Sequence, residues 1–195
     1  MRVITGKLKG SKLISPKGLH TRPTSDKVKE AIFNILGNIS EGSQVLDLYA
    51  GSGNVGIEFL SRGASKCYFI DCDTNSIKSI KENLSRTKLA EQAYVYKNIA
   101  DKAISMLGSR GILFDYIFLD PPYEKNLIVP TLEKISICNI LNENGIIITE
   151  HESKIVLPEY INYLFKKDFR KYGGTTISFY INGRLNNESS ISRDI

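Results

Sequence analysis

Val45-Leu46-Asp47-Leu48-Tyr49-Ala50-Gly51-Ser52-Gly53-Asn54-Val55-Gly56 decides the fold. Its first four residues read as a buried strand, and the segment from Asn54 to Arg62 reads as a helix. Between them Gly51, Gly53 and Gly56 make G-x-G-x-x-G where strand meets helix. Glycines there permit positive φ and let a ligand approach the backbone closely. Asp71 follows Gly51 by 20 residues, at the end of a second apolar run, Cys67-Tyr68-Phe69-Ile70. A carboxylate at that spacing is placed to bind a ribose diol.

The strand, loop, helix rhythm continues downstream. Ile77, Ile80 and Leu84 mark the helix after the second strand. Ala93 to Tyr96, Tyr116 to Leu119 and Ile146 to Thr149 read as the third, fourth and fifth strands. This alternation predicts an α/β domain of Rossmann-like type, with parallel strands and helices on both faces. After His151 the rhythm changes. Tyr163-Leu164-Phe165, the basic stretch Lys166 to Lys171, Gly173-Gly174 and the run Thr176 to Ile181 predict an antiparallel hairpin that finishes the sheet. His151 reads as a hydrogen-bonded strand-end residue rather than a base.

Upstream, Val3, Leu8, Leu13 and Ile14, separated by Gly6 and Gly10, predict two short strands. Thr24, Ser25 or Asp26 caps a helix whose core face is Val28, Ala31, Ile32, Ile35 and Leu36, and Gly37 ends it. Three parts are thus expected: a basic β-hairpin arm over residues 1–23, a Rossmann-like domain over 24–182, and a polar, frayed tail over 183–195.

The fourth strand ends in Asp120-Pro121-Pro122-Tyr123. Strand carboxyl ends are where open α/β sheets bind ligands. Proline fixes φ and donates no N–H, so the carbonyls of Asp120 and Pro121 are held in place and only accept hydrogen bonds, as does the Asp120 carboxylate. Acceptors beside an aromatic ring suit a planar amine, gripped by its N–H groups while Tyr123 stacks on its plane.

The glycine loop alone would serve a dinucleotide equally well. A further carboxylate, Asp47, entering that loop repels a pyrophosphate and attracts an ammonium group. S-adenosylmethionine offers a ribose, an ammonium and a sulfonium, with no phosphate. A sulfonium methyl beside an amine-gripping loop is the arrangement for methyl transfer to nitrogen. Tyr49 is placed either to pack the loop or to approach the cofactor.

Composition narrows the setting. A chain of 195 residues supports one sizeable core. Residues 1 to 30 carry eight Lys or Arg against Asp26 and Glu30, a balance of +6 that leaves −1 for the remainder of a chain whose net charge is +5. A basic arm suits a polyanion, because each neutralised phosphate releases counterions. Cys67, Cys72 and Cys138, with His20 and His151, fit no metal-ligand spacing. No apolar run approaches membrane-spanning length, so a cytoplasmic protein acting as a monomer, without metal or membrane, is expected.

The stretches M-R-V-I-T-G-K-L-K-G-S-K-L, T-R-P-T-S-D-K-V-K-E-A-I-F-N-I-L, V-L-D-L-Y-A-G-S-G-N-V-G-I-E and F-D-Y-I-F-L-D-P-P-Y, in this order, resemble the bacterial 16S ribosomal RNA guanine-N2 methyltransferases of the RsmD type, within the class I S-adenosylmethionine-dependent superfamily. The resemblance implies a seven-stranded sheet of order 3-2-1-4-5-7-6 with the last strand antiparallel. It implies an assembled or assembling small subunit as substrate and S-adenosylhomocysteine as product. Asp120, Pro121, Pro122 and Tyr123 would hold the guanine. Asp47, Tyr49, Ala50, Gly51, Gly53, Gly56, Asp71 and Cys72 would hold the cofactor, with Asn98, Ile99 and Ala100 after the third strand. The arm, through Lys7, Lys9, Lys12, Lys17 and Arg22 with Thr24, would dock on RNA. Relatives commonly carry an acidic residue after the third strand for the adenine amino group, whereas this chain reads Lys97-Asn98-Ile99-Ala100-Asp101. Asp101, Asn98 or a backbone group takes that role. Competing expectations are an N-methyltransferase for DNA adenine or a protein glutamine amide, an NAD-binding oxidoreductase, and a non-catalytic ribosome assembly factor.

Overall fold

The computed structural model describes residues 1–16, 25–122 and 126–184. After α1 (Asp26–Leu36), strands and helices alternate: β1 (Gln44–Leu48), α2 (Asn54–Ser61), β2 (Lys66–Asp71), α3 (Thr74–Arg86), β3 (Ala93–Lys97), α4 (Ala100–Ser109), β4 (Phe114–Leu119), α5 (Ile128–Cys138) and β5 (Leu141–Glu152). Three more strands follow, β6 (Tyr160–Ile161), β7 (Leu164–Tyr172) and β8 (Thr175–Asn182). They form one sheet of order β3-β2-β1-β4-β5-β8-β7-β6, parallel from β3 to β5 and antiparallel beyond.

The expectation of seven strands is corrected to eight. The additional strand is the two-residue β6, which pairs Tyr160 with Phe165 and Ile161 with Leu164 at the outer edge. Without it the order reduces to the expected one. The fifth strand also starts earlier than its apolar run. Leu141 pairs with Phe114, the register then shifts, and Ile146 pairs with Tyr116. The intervening Asn142-Glu143-Asn144 bulges outward, which hides the strand from its hydrophobic pattern.

Each face of the sheet buries its own core. Val45, Cys67, Phe69, Phe118, Ile148, Ile177 and Phe179 point to the side of α1, α2 and α3. Leu46, Leu48, Ile70, Ile117, Leu119, Ile147 and Tyr180 point to the side of α4 and α5. That alternation along every central strand is the period of two expected of a sheet covered on both sides.

Residues 1–16 are packed into the first of these cores through Val3 and Leu13. The two strands expected there reduce to a single antiparallel bridge between Arg2 and Lys12. The N–H groups that a longer ladder would use are taken by α2 instead: Glu58 accepts from Ile4 and Thr5, the Ser61 hydroxyl from Leu8, and the Ser61 carbonyl from Lys7. Ser25 caps α1 by accepting from Val28 N–H, and Gly37, at φ 69°, ends it.

Candidate active site

β1 and β4 are neighbours in parallel register, Leu48 opposite Leu119. The loops that leave these two residues, Tyr49 to Gly53 and Asp120 to Pro122, therefore start one strand spacing apart, about 4.8 Å, at the carboxyl end of the sheet.

The first loop is held in a left-handed course, with φ of 61° at Tyr49, 56° at Gly51 and 75° at Gly53. A Cβ on Gly51 would meet nothing within 4 Å, so open space lies over the backbone there. At Gly56 the need is different: a Cβ would overlap the Phe69 ring and lie 2.7 Å from Cys67 Sγ. Its absence lets α2 settle against β2.

Asp71 organises the loop from the side. One carboxylate oxygen accepts from Gly51 N–H at 2.8 Å and the other from Asp73 N–H at 2.8 Å. Each oxygen retains a lone pair for a ligand hydroxyl. Burial raises the pKa of this carboxyl, and the two N–H groups oppose the shift.

Asp47 departs from its expected posture. It is 1% exposed and lies beneath the loop, accepting from Gly56 N–H at 2.9 Å. Burial pushes its pKa up to about 8, the nearby Asp71 adds to the rise, and the Gly56 N–H counters it. The carboxyl braces the start of α2 and is closed off from the loop's open side. The electrostatic case against a pyrophosphate is correspondingly smaller than the sequence suggests.

Tyr49 packs the loop. Its hydroxyl is 2.9 Å from Thr131 Oγ1 on α5, and burial raises its pKa. Ala50 and Cys72 sit at the ends of the first and second strands, with Cys72 exposed. After β3, Asn98 N–H donates to the Asp71 carbonyl and the Asn98 side chain accepts from Ile99 N–H. Ile99 is 50% exposed at the start of α4, an apolar surface beside Asp71, and Ala100 is buried beneath it. Asp101 pairs with Lys134 of α5 at 3.3 Å.

In the second loop Asp120 is partly exposed, Pro121 is buried and Pro122 is exposed. Tyr123 lies outside the described residues. Beside the prolines is an apolar cavity of about 60 Å³, lined by Pro121, Pro122, Leu127, Val129, Ile155 and Leu157. A larger hollow of about 490 Å³, with Asp115, Asn142 and Arg184 in its wall, is at the amino end of β4. It faces away from both loops and takes no part in the site. His151 is held at both ring nitrogens, by the Glu152 carbonyl and the Ser178 hydroxyl, and burial lowers its pKa.

In the arm, Lys7, Lys9 and Lys12 are exposed, and Lys17, Arg22 and Thr24 lie outside the described residues. Lys29, counted above in the positive balance, is instead 0% exposed and ion-paired with Glu58 at 3.1 Å. Its ammonium also donates to the Arg2 carbonyl and to Asn54 Oδ1. Asn83, also buried, both accepts from and donates to the backbone of Ile14, and donates to the Ser52 carbonyl. These residues join the arm to the glycine loop. Sequence reading missed them, because a lysine and an asparagine on amphipathic helices read as solvated; the one available signal was Lys29 beside Val28 within the apolar stripe of α1. Among the described residues no three of His, Cys, Asp and Glu group as metal ligands, and no helix is long and apolar enough to cross a membrane.

This sheet order, with a glycine loop and an Asp-Pro-Pro loop on adjacent strand ends, defines a class I methyltransferase. A family model described as Conserved hypothetical protein 95 matches residues 1–181. The chain is 43% identical to the "Putative rRNA methyltransferase YlbH" of Bacillus subtilis, over 92% of its own length and 98% of that protein. It is 34% identical to Ribosomal RNA small subunit methyltransferase D of Haemophilus influenzae, over 86% and 88% of the two chains. Among solved structures, the "Putative methyltransferase yhhF" of Escherichia coli superposes with a TM-score of 0.81 at 30% identity, covering 92% and 96% of the two chains. The chain belongs to this family of ribosomal RNA small subunit methyltransferase D proteins.

Proposed function

We propose that the chain transfers a methyl group from S-adenosylmethionine to the exocyclic N2 of a guanine in small-subunit ribosomal RNA. The observation that carries this reading is the pairing of Leu48 with Leu119, which sets the glycine loop beside the acceptor loop. The residues fit the cofactor. Open space over Gly51 admits a ligand against the backbone, Asp71 presents acceptors for a ribose diol, and the exposed Ile99 offers an apolar surface to an adenine ring. Bound there, the cofactor supplies an electrophilic methyl group and leaves as S-adenosylhomocysteine.

The chain's own residues act on the amine. An exocyclic nitrogen shares its lone pair with the base and is a poor nucleophile. Asp120 and the Pro121 carbonyl accept its two N–H groups, which orients the lone pair toward the methyl and stabilises the charge that grows on nitrogen, and the methylated nitrogen then releases one proton to Asp120 or to water. Positioning supplies much of the remaining rate. A guanine N2 within a duplex is hydrogen-bonded to cytosine, so the base must be unpaired or flipped to reach Asp120. The exposed lysines of the arm hold flanking phosphates. The substrate is an assembled or assembling small subunit in the cytoplasm, and the enzyme acts as a monomer.

The test is methyl transfer from labelled S-adenosylmethionine to small subunits purified from cells lacking the protein, with nucleoside analysis of the product. N2-methylguanosine in the subunit RNA is expected. Label in adenine or in protein, or no transfer despite measured cofactor binding, would overturn the assignment.

A further inference from the structure

We infer that the outer strand β7 is a second RNA-contact surface, which holds an unpaired segment next to the target nucleotide by stacking a base on Phe169 and pairing its phosphates with Lys167 and Lys171. The inference rests on the function proposed above and specifies the form of its substrate.

The composition of β7 is the first support. Its nine residues, Leu164–Tyr172, include the cations Lys166, Lys167, Arg170 and Lys171 against the single carboxylate Asp168, and β8 alongside carries no charge. Cations alone would be explained by protection of an open sheet edge. Phe169 is not. It is 50% exposed on that edge, and β6 shields only Leu164 and Phe165. An exposed apolar ring defeats edge protection, whereas a ring set among cations is what sequence-tolerant single-strand binding uses.

Position is the second support. Phe169 pairs with Ser178, Ser178 with Thr149, and Thr149 with Leu119, the residue before Asp120. Residues in one lateral row share a face of the sheet. Phe169 thus projects on the side of Leu119, three strand spacings away, about 14 Å. Contacts join the two places. Leu157 lines the cavity beside Pro121 and Pro122, its carbonyl accepts from Lys166 Nζ at 2.6 Å, and that ammonium lies 5.9 Å from the Phe169 ring centre. Lys171 is in the next row on the same face, opposite Thr176 and His151. Asp168 engages Arg170 at 3.0 Å and its own neighbour's N–H, so the remaining cations are uncompensated within the strand. A strand of nucleic acid leaving the acceptor loop along this face meets the apolar cavity, then a ring, then positive charge.

The test uses the full chain and a fluorescein-labelled single-stranded RNA of mixed sequence, about 12 nucleotides long. Phe169→Leu removes the flat ring while keeping an apolar residue, and is expected to weaken binding about 5- to 150-fold. Phe169→Tyr restores a stacking face and binds as the wild type does. Lys167→Gln with Lys171→Gln lowers the slope of log affinity against log salt by about 1.4. Cofactor affinity and melting temperature stay at wild-type values throughout. A Phe169→Leu chain that binds the RNA as tightly as the wild type overturns the inference. So does one that binds RNA normally but loses self-association, which would assign the edge to a second copy of the chain. Methyl transfer by the wild type to small subunits is read in parallel. Its failure removes the proposed function, whereas its success with normal RNA binding by Phe169→Leu removes β7 alone.

Discussion

Asp47→Asn should make the protein more stable at neutral pH. Asp47 is enclosed, and burial pushes its carboxyl from 3.8 to about 8. A carboxyl whose folded-state pKa is raised gives a stability contribution that is complete below its unfolded pKa and is lost as pH rises through the folded value. The loss therefore begins near pH 4, grows by about 1.36 kcal/mol per pH unit, and levels off near pH 8. At pH 7 about 4 kcal/mol of destabilisation is expressed. Asparagine keeps an oxygen to accept from Gly56 N–H and does not titrate, but its amide hydrogens enter a closed space, which costs about 1–3 kcal/mol. The net gain at pH 7 is about 2 kcal/mol, a rise of about 4–8 °C in Tm for a chain of this length. Calorimetric melts of both proteins at about pH 4, 7 and 8.5 check the sign. The variant should be the less stable at the lowest pH and the more stable at the other two. A variant destabilised by the same amount at all three would refute the reasoning, because it would mean that Asp47 is ionised in the fold and is held by the start of α2.

Other expectations are more direct. Asp120→Ala should abolish methyl transfer while leaving cofactor affinity, read by titration calorimetry, at the wild-type level; equal loss of both would remove Asp120 from its role as amine acceptor. Gly56→Ala forces a methyl into the Phe69 ring and toward Cys67, and should cost about 1–3 kcal/mol in denaturant unfolding. Lys29→Met leaves Glu58 with Arg62 as its cation but strands the Arg2 carbonyl and Asn54 Oδ1, and should cost about 1–3 kcal/mol, with earlier proteolysis in residues 1–16. Reversing charge at Lys7, Lys9 and Lys12 should weaken RNA binding with a reduced salt slope; unchanged binding at low salt would remove the arm from the interface.

The parallel part of the sheet was legible because strand and helix leave different periods in the chain, and the glycines of the loop mark positive φ at Gly51 and Gly53 and a closed space at Gly56. Asp71 was legible from spacing alone. What escaped was set by tertiary placement. Whether Asp47 meets the ligand or lies under the loop depends on how α2 seats against β2. Lys29 carries the same charge as Lys27, yet it falls on the inner side of α1, where only Glu58 and two carbonyl oxygens make its burial tolerable. Strand β6 has two residues and no pattern to detect. The bulge before Ile146 conceals half of β5 for the same reason, since Asn142-Glu143-Asn144 breaks the alternation that identifies strands.

The buried polar contacts also fix what the arm can do. α2 runs from the glycine loop to the opposite end of the sheet, and Lys7 is bonded to Ser61 at its far end, about 10 Å along the helix axis from Asn54. Ile14, by contrast, is tied through Asn83 to Ser52 inside the loop. The arm is thus a hairpin strap along α2 whose turn meets the far end of the helix and whose two ends, Met1 and Ile14, meet Ser52 of the glycine loop. On the proposed reading, RNA held by Lys7 and Lys9 would lie beside the outer wall of α2, and RNA held near Lys12 would pass closer to the cofactor end. On the proposed reading the arm must hold that polyanion in register with the carboxyl edge of the sheet, where Asp120 stands. A rigid strap suits that task, because an arm free to swing would lose ordering entropy on each encounter and would leave the base unregistered against the methyl donor. On that reading the burial of Lys29 and Asn83 serves substrate alignment as well as stability.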